Sequence, residues 1–162
     1  MEKLDFIYNY IIPNLPLNTR VKYFNEAKNS KKKRFPLVIH KQGDEFNQVF
    51  NFICSDSYMK PHFHPKNMIE NMHLIEGSFE LFLFVKKGKI IKTYLLDRPG
   101  QRVQVPALQF HTYVMKSDLT IIYETMIGKY NPLTWKKMAN WAPDEETEDS
   151  IKYFQTLKNF KS

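Results

Sequence analysis

The run Pro61-His62-Phe63-His64-Pro65 sets two imidazoles two residues apart, and Glu70 and His111 add a carboxylate and a third imidazole. In an extended strand, residues i and i+2 face the same side. His62 and His64 can therefore grip one ion from one wall. Glu70 shares their parity if the strand resumes beyond Pro65. His111 must arrive from another strand, across the interior. Three imidazoles and a carboxylate suit one divalent transition metal ion: Zn, Fe, Mn, Ni or Cu. The plainer alternative is a pair of ordinary surface or core histidines. The segment Gly100 to His111 favours the metal, because it delivers a further His at the end of a turn-rich strand approach.

The elements that must position these groups read mostly as strands. Thirteen Phe, nine Tyr and many Val and Ile favour extended structure. Strands are expected over 35–40, 46–53, 58–64, 68–75, 78–85, 89–96, 103–105, 110–115 and 119–127. The pair around Glu76-Gly77 reads as a hairpin, and Asp97-Arg98-Pro99-Gly100 as a turn. Turns at such short spacing point to a sandwich or barrel. Ahead of the strands, Asp5–Ile12 reads as a short helix. Asn18 caps another through Asn29, with Val21, Phe24 and Ala27 on one stripe. After them, Leu133–Trp141 reads as a short helix. Acidic residues from Asp144 to Asp149 open a last one, with Lys152 and Lys158 following at the favourable end. One domain is expected, with an N-terminal helical extension (1–34), a barrel (35–128) and a C-terminal turn and helix (129–162).

The chain has 162 residues, 43% hydrophobic, with a formal net charge of +7. That excess suits anionic partners: phosphates, nucleotide-sugars, acidic polysaccharide or nucleic acid. The run Lys31-Lys32-Lys33 reads as a solvated loop rather than a nucleic-acid patch, since no aromatic-interleaved motif accompanies it. The single cysteine, Cys54, sits in an apolar run and reads as a packed thiol. It excludes an intrachain disulfide and agrees with a reducing compartment. No stretch approaches the ~18–20 apolar residues of a membrane span, and Met1–Pro13 lacks the pattern of a secretory signal. A cytoplasmic location is expected, with no membrane or nucleic-acid partner.

Two segments resemble the paired motifs of the cupin superfamily. His62, His64, Glu70 and Gly77 follow the first. Gly100, Pro106 and His111 follow the second, with Leu108 in place of its inner glycine, so the turn there is expected to differ. The resemblance implies a mainly β fold, a cupin double-stranded β-helix or jelly-roll barrel, with short N-terminal and C-terminal helices and the metal inside. Several stretches further resemble the WbuC-type cupin metalloproteins: Arg34 to His40, the His-Phe-His core, Glu124 through Gly128, Tyr130 and Pro132, and Trp141 to Glu145. That resemblance implies a connection with bacterial surface-polysaccharide (O-antigen) gene clusters, and the likeness to barrel cupins, which often pair edge to edge, implies a homodimer.

A metal with open positions supports Lewis-acid, hydrolytic or oxygen chemistry. The family context favours an isomerase or epimerase of an activated sugar. A non-catalytic sugar-binding module and an iron-dependent oxygenase are the alternatives. Tyr58, His40 and Glu124 are candidate bases. Arg34 and His40 could hold an anionic or nucleotide-linked sugar, or serve as a structural ion pair and a backbone-bonded His. Glu124 could equally be a buried carboxylate satisfied by Arg34. His73 is off the parity of Glu70 and is expected outside the site. In the tail, Trp141 is expected to seal the barrel end, with contact between Trp141 or Glu145 and the ligand as the alternative.

Overall fold

The computed structural model describes residues 11–161. Its elements are α1 (Leu17–Asn29), β1 (Arg34–Val38), β2 (Phe46–Cys54), β3 (His62–Phe63), β4 (Glu70–Glu76), β5 (Phe79–Phe84), β6 (Ile90–Leu96), β7 (Arg102–Val105), β8 (Phe110–Met115), β9 (Leu119–Ile127), β10 (Lys137–Met138) and α2 (Glu148–Lys158). The expected helix at Asp5–Ile12 falls outside the described residues except for Ile11 and Ile12, which are irregular.

Two antiparallel five-stranded sheets form, in the orders β1-β2-β9-β4-β7 and β10-β3-β8-β5-β6. They face each other as a jelly roll. Ile53, Met72, Leu74 and Ile122 of the first sheet meet Phe79, Leu81, Tyr113 and Met115 of the second in one core. Each outer face is also covered. Phe50, Phe52, Ile121 and Tyr123 pack under Phe24 and Ala27 of α1. Phe82, Phe84 and Val114 pack under Phe154 and Leu157 of α2. This explains why all six residues of β5 are buried: one parity fills the core and the other meets α2. A strand covered on both sides loses its polar alternation, and each buried large apolar side chain contributes about 1.5–3 kcal/mol.

Gly77 is not a hairpin turn. β4 pairs with β7 and β9, while β5 pairs with β6 and β8. The chain crosses between sheets there, at φ +81°, and a Cβ on Gly77 would lie 2.5 Å from the Leu119 carbonyl oxygen. The expected strand over 58–64 shrinks to His62–Phe63. The carbonyls before it are claimed by side chains instead: Thr112 Oγ1 donates to Met59 O at 2.6 Å and Arg34 Nη1 to Tyr58 O at 2.9 Å. The expected helix at Leu133–Trp141 is absent. Lys137–Met138 pairs with β3 as a short strand, and Ala139 N donates to Pro61 O at 2.8 Å. Tertiary pairing overrides local propensity here.

The helix ends also differ in detail. Pro16 is the N-cap of α1, so Asn18 lies inside it, and Val21 is exposed while Phe24 and Ala27 are buried. For α2, the acidic run begins before the helix. Thr147 and Ser150 form a reciprocal capping box, with Glu148 and Asp149 in the first turn. Leu108 takes φ +63°, the left-handed conformation that favours glycine. The turn thus keeps a glycine-type backbone despite its Leu, and Leu108 N donates to His64 O at 2.9 Å.

Candidate metal centre

β3 and β8 lie side by side with His62 opposite His111. His64 follows at the end of β3, and β4 brings Glu70 from the facing sheet. One ring nitrogen of each histidine lies within 4.8 Å of the others, and all three residues are buried. The other ring nitrogen is committed in each case. His62 Nδ1 donates to Lys60 O (3.1 Å), His64 Nδ1 to Trp135 O (2.9 Å) and His111 Nδ1 to Gln109 O (2.9 Å). A carbonyl can only accept, so each Nδ1 carries the proton and each Nε2 is left with a free lone pair. Such outer hydrogen bonds orient imidazoles for metal ligation.

Glu70 completes the cluster. Its Oε2 sits 2.9 Å from His111 Nε2 and 3.6 Å from His64 Nε2. None of these three buried atoms completes a hydrogen bond. Orphaned buried donors and acceptors are costly, and a divalent cation would satisfy all of them. The residues therefore fit a transition metal ion. Burial opposes ionisation of Glu70, but the His64 and His111 imidazoles outweigh it and hold the carboxyl well below its usual range. Burial lowers His64, yet Glu70 prevails and raises it. Burial, then the neighbouring His111, presses His62 well below its ordinary value.

The five residues between His64 and Glu70, where the motif usually has three or four, are absorbed in a turn. Met68 N donates to Pro65 O at 3.1 Å, and Asn67 takes φ +72°. His73, three residues after Glu70, stands on the outer face of the first sheet beside Tyr123.

The cluster lies in a cavity of about 700 Å³. Arg34, His40 and Glu124 line it as well. Arg34 is already committed. Its Nη2 donates to both carboxylate oxygens of Glu145 at 2.8 Å. This ion pair binds the tail to β1, and Glu145 is thereby held away from a ligand role. His40 Nδ1 accepts from Gln48 N–H at 3.0 Å. Glu124 is not satisfied by Arg34: its buried Oε1 has no partner. Burial, with the Glu70 charge adding, raises the Glu124 carboxyl well above its usual range. Tyr58 is outside the cavity. Its hydroxyl donates to Pro143 O at 3.0 Å, and its ring packs against Tyr153 and Phe154. Trp141 packs against Phe84 and Phe110 on the outer face.

Sequence reasoning missed Tyr113 and Lys136, both in the cavity wall. Tyr113 was findable, being two residues beyond His111 on the same strand parity. Lys136 carried no signal, because its position depends on the tail docking against β3.

Comparison with known proteins agrees with this architecture. A family model described as "Domain of unknown function (DUF6016)" matches residues 18–96, which include His62, His64 and Glu70 but not His111. No curated protein matches. Among solved structures, a Klebsiella pneumoniae uncharacterized conserved protein with a double-stranded β-helix domain is similar at 14% identity. The match covers 82% of this chain and 93% of that one, with a TM-score of 0.56. KdgF from Halomonas sp. is similar at 14% identity, covering 65% and 88%, TM-score 0.51. The capsular polysaccharide assembling protein CapF from Staphylococcus aureus is similar at 14% identity over 64% of this chain and 31% of its own, TM-score 0.51. The fold is the cupin double-stranded β-helix.

Proposed function

We propose that His62, His64, Glu70 and His111 hold one divalent transition metal ion (Zn, Fe, Mn or Ni), and that the cavity binds an anionic or nucleotide-linked sugar beside it. The proposed reaction is isomerisation or epimerisation of that sugar in bacterial surface-polysaccharide synthesis. The observation that carries the metal reading is the set of three Nδ1-to-carbonyl hydrogen bonds that free three Nε2 lone pairs in one buried cluster. The polysaccharide context draws on the resemblance to WbuC-type cupins. The role named for CapF, capsular polysaccharide assembly, points the same way.

When bound, the ion would supply Lewis-acid polarisation of a ligand carbonyl. The chain's own residues do the rest. Glu124, buried and without a partner at Oε1, is the candidate to exchange a proton with the ligand. Tyr58 is unsuited, being bonded elsewhere. Trp135, Tyr130 and Met59 line the cavity with apolar surface. A single buried cysteine agrees with the expected cytoplasmic location. The expected homodimer is open to light scattering.

Elemental analysis of protein purified without added metal tests the centre. About one ion per chain is expected, and none in His62→Ala/His64→Ala. A full complement in that double variant would refute it. Turnover of a keto-sugar nucleotide separates the isomerase from a binding module, which would show metal-dependent binding alone. Iron together with oxygen consumption would replace both with the oxygenase.

A further inference from the structure

Lys136 places a cation in the cavity wall. The backbone around it is pinned on both sides. Trp135 O accepts from His64 Nδ1, and Lys137–Met138 pairs with β3 opposite Phe63 and His62. Lys136 is therefore fixed next to β3, the strand that carries His62 and leads into His64.

Its charge is unspent. Among the described residues Lys136 forms no ion pair or hydrogen bond, whereas the other cavity cation, Arg34, is engaged bidentately by Glu145. Glu70 faces His64 and His111. Burial, then the nearby Arg34 charge, lowers the Lys136 ammonium from its usual range, against the pull of Glu145, Glu70 and Glu124. The side chain is half-buried in the cavity wall and its ammonium has no carboxylate partner at ion-pair distance among the described residues, so an anion entering the cavity would pair with it. A second orphan points inward: the Tyr113 hydroxyl is buried, lines the same cavity and has no partner.

We infer that Lys136 is the anion-recognising side chain of this pocket, taking the carboxylate or phosphate of a small ligand whose other end lies against the His62, His64, His111 and Glu70 cluster. The inference rests on the ligand pocket proposed above but not on the metal's presence. Tyr113 supplies a hydroxyl hydrogen bond to the same ligand. Lysine suits this task as a point charge for a phosphate or carboxylate.

The test is a nuclear magnetic resonance titration of the full chain with inorganic phosphate and, separately, acetate at constant ionic strength. The Trp135 indole N–H reports on the cavity, and Trp141, packed on the outer face, is the internal control. A saturable shift at Trp135 but not Trp141 is expected with at least one anion, and the anion that gives it identifies the group. Lys136→Gln should weaken binding about tenfold or more, the scale of one charge-assisted hydrogen bond, and Lys136→Arg should restore most of it. Unchanged affinity in Lys136→Gln, or no shift with either anion in the wild type, overturns the inference. Anion binding that survives Lys136→Gln and disappears in His62→Ala/His64→Ala would place the anion on the metal; the inference falls and the metal reading stands. Loss of binding in Lys136→Gln, from protein that holds no metal, upholds the inference while the metal reading falls. If Lys136→Gln does not fold, wild-type protein with ¹³C-methylated lysines decides: the Lys136 resonance must move with the anion, and an unmoved one sinks the idea.

Discussion

His64 Nδ1 donates to the carbonyl oxygen of Trp135 at 2.9 Å, across 71 residues of sequence. This bond joins a barrel histidine to the tail. The same stretch pairs with β3 and carries Lys136 into the cavity. One docking event therefore orients a candidate metal ligand and completes the cavity wall. Undocking the tail should weaken metal binding without touching a ligand. Ala139→Pro removes the N–H that donates to Pro61 O. Metal affinity should fall about 10–100-fold, as for other losses of outer-sphere support. Competition against a chromophoric chelator measures this, and unchanged affinity in a folded variant would count against the coupling.

His73 gives stability a pH dependence of definite sign. Burial, then the Arg102 charge, lowers its pKa from 6.5 to about 4. The folded state thus resists a proton that the unfolded chain accepts. His73 contributes stability that is fully present above about pH 6.5 and is lost as pH falls toward 4. At only 6% exposure the group is little screened by solvent, and the full effect is on the order of 3 kcal/mol. Urea unfolding at pH 7.5 and pH 5 should show a larger loss for wild type than for His73→Gln. Equal losses would remove His73 as the cause.

Trp141 should prove structural. Its ring lies 5.1 Å from Phe84 and 5.8 Å from Phe110, and a Cβ on Gly88 would come within 2.7 Å of it. Trp141→Ala is expected to cost about 2–4 kcal/mol, somewhat less than for a fully buried Trp. Thermal melts would show the loss, while anion titration at Trp135 should be unaffected. Intact stability with impaired ligand response would return Trp141 to the binding site.

Leu108 is a candidate for improvement. Its φ of +63° carries a side-chain strain that glycine does not have, and at 54% exposure little packing is sacrificed. Leu108→Gly should gain roughly 0.5–1 kcal/mol, the left-handed penalty less the added entropy of glycine in the unfolded chain. A lower denaturation midpoint would show that the Leu108 contacts outweigh the strain.

Local periodicity by itself determined a good deal. The shared face of His62 and His64, the strands β6, β8 and β9, and the arrival of His111 from a second strand all follow from two-residue alternation and turn chemistry, which act over a few residues. Resemblance to the cupin motifs added the jelly roll. Only the tertiary structure decided that β4 and β5 join different sheets, because neither strand's sequence names its partner and both faces of β5 are buried. It likewise decided the fate of the charged groups. Arg34 is consumed by Glu145, 111 residues away, leaving Glu124 without its expected partner. Lys136 enters the cavity because its segment docks as a strand rather than winding into a helix. A side chain's charge is written in the sequence. Its partner depends on which distant segments pack together, since burial makes pairing strong and selects among many candidates that alternation cannot distinguish.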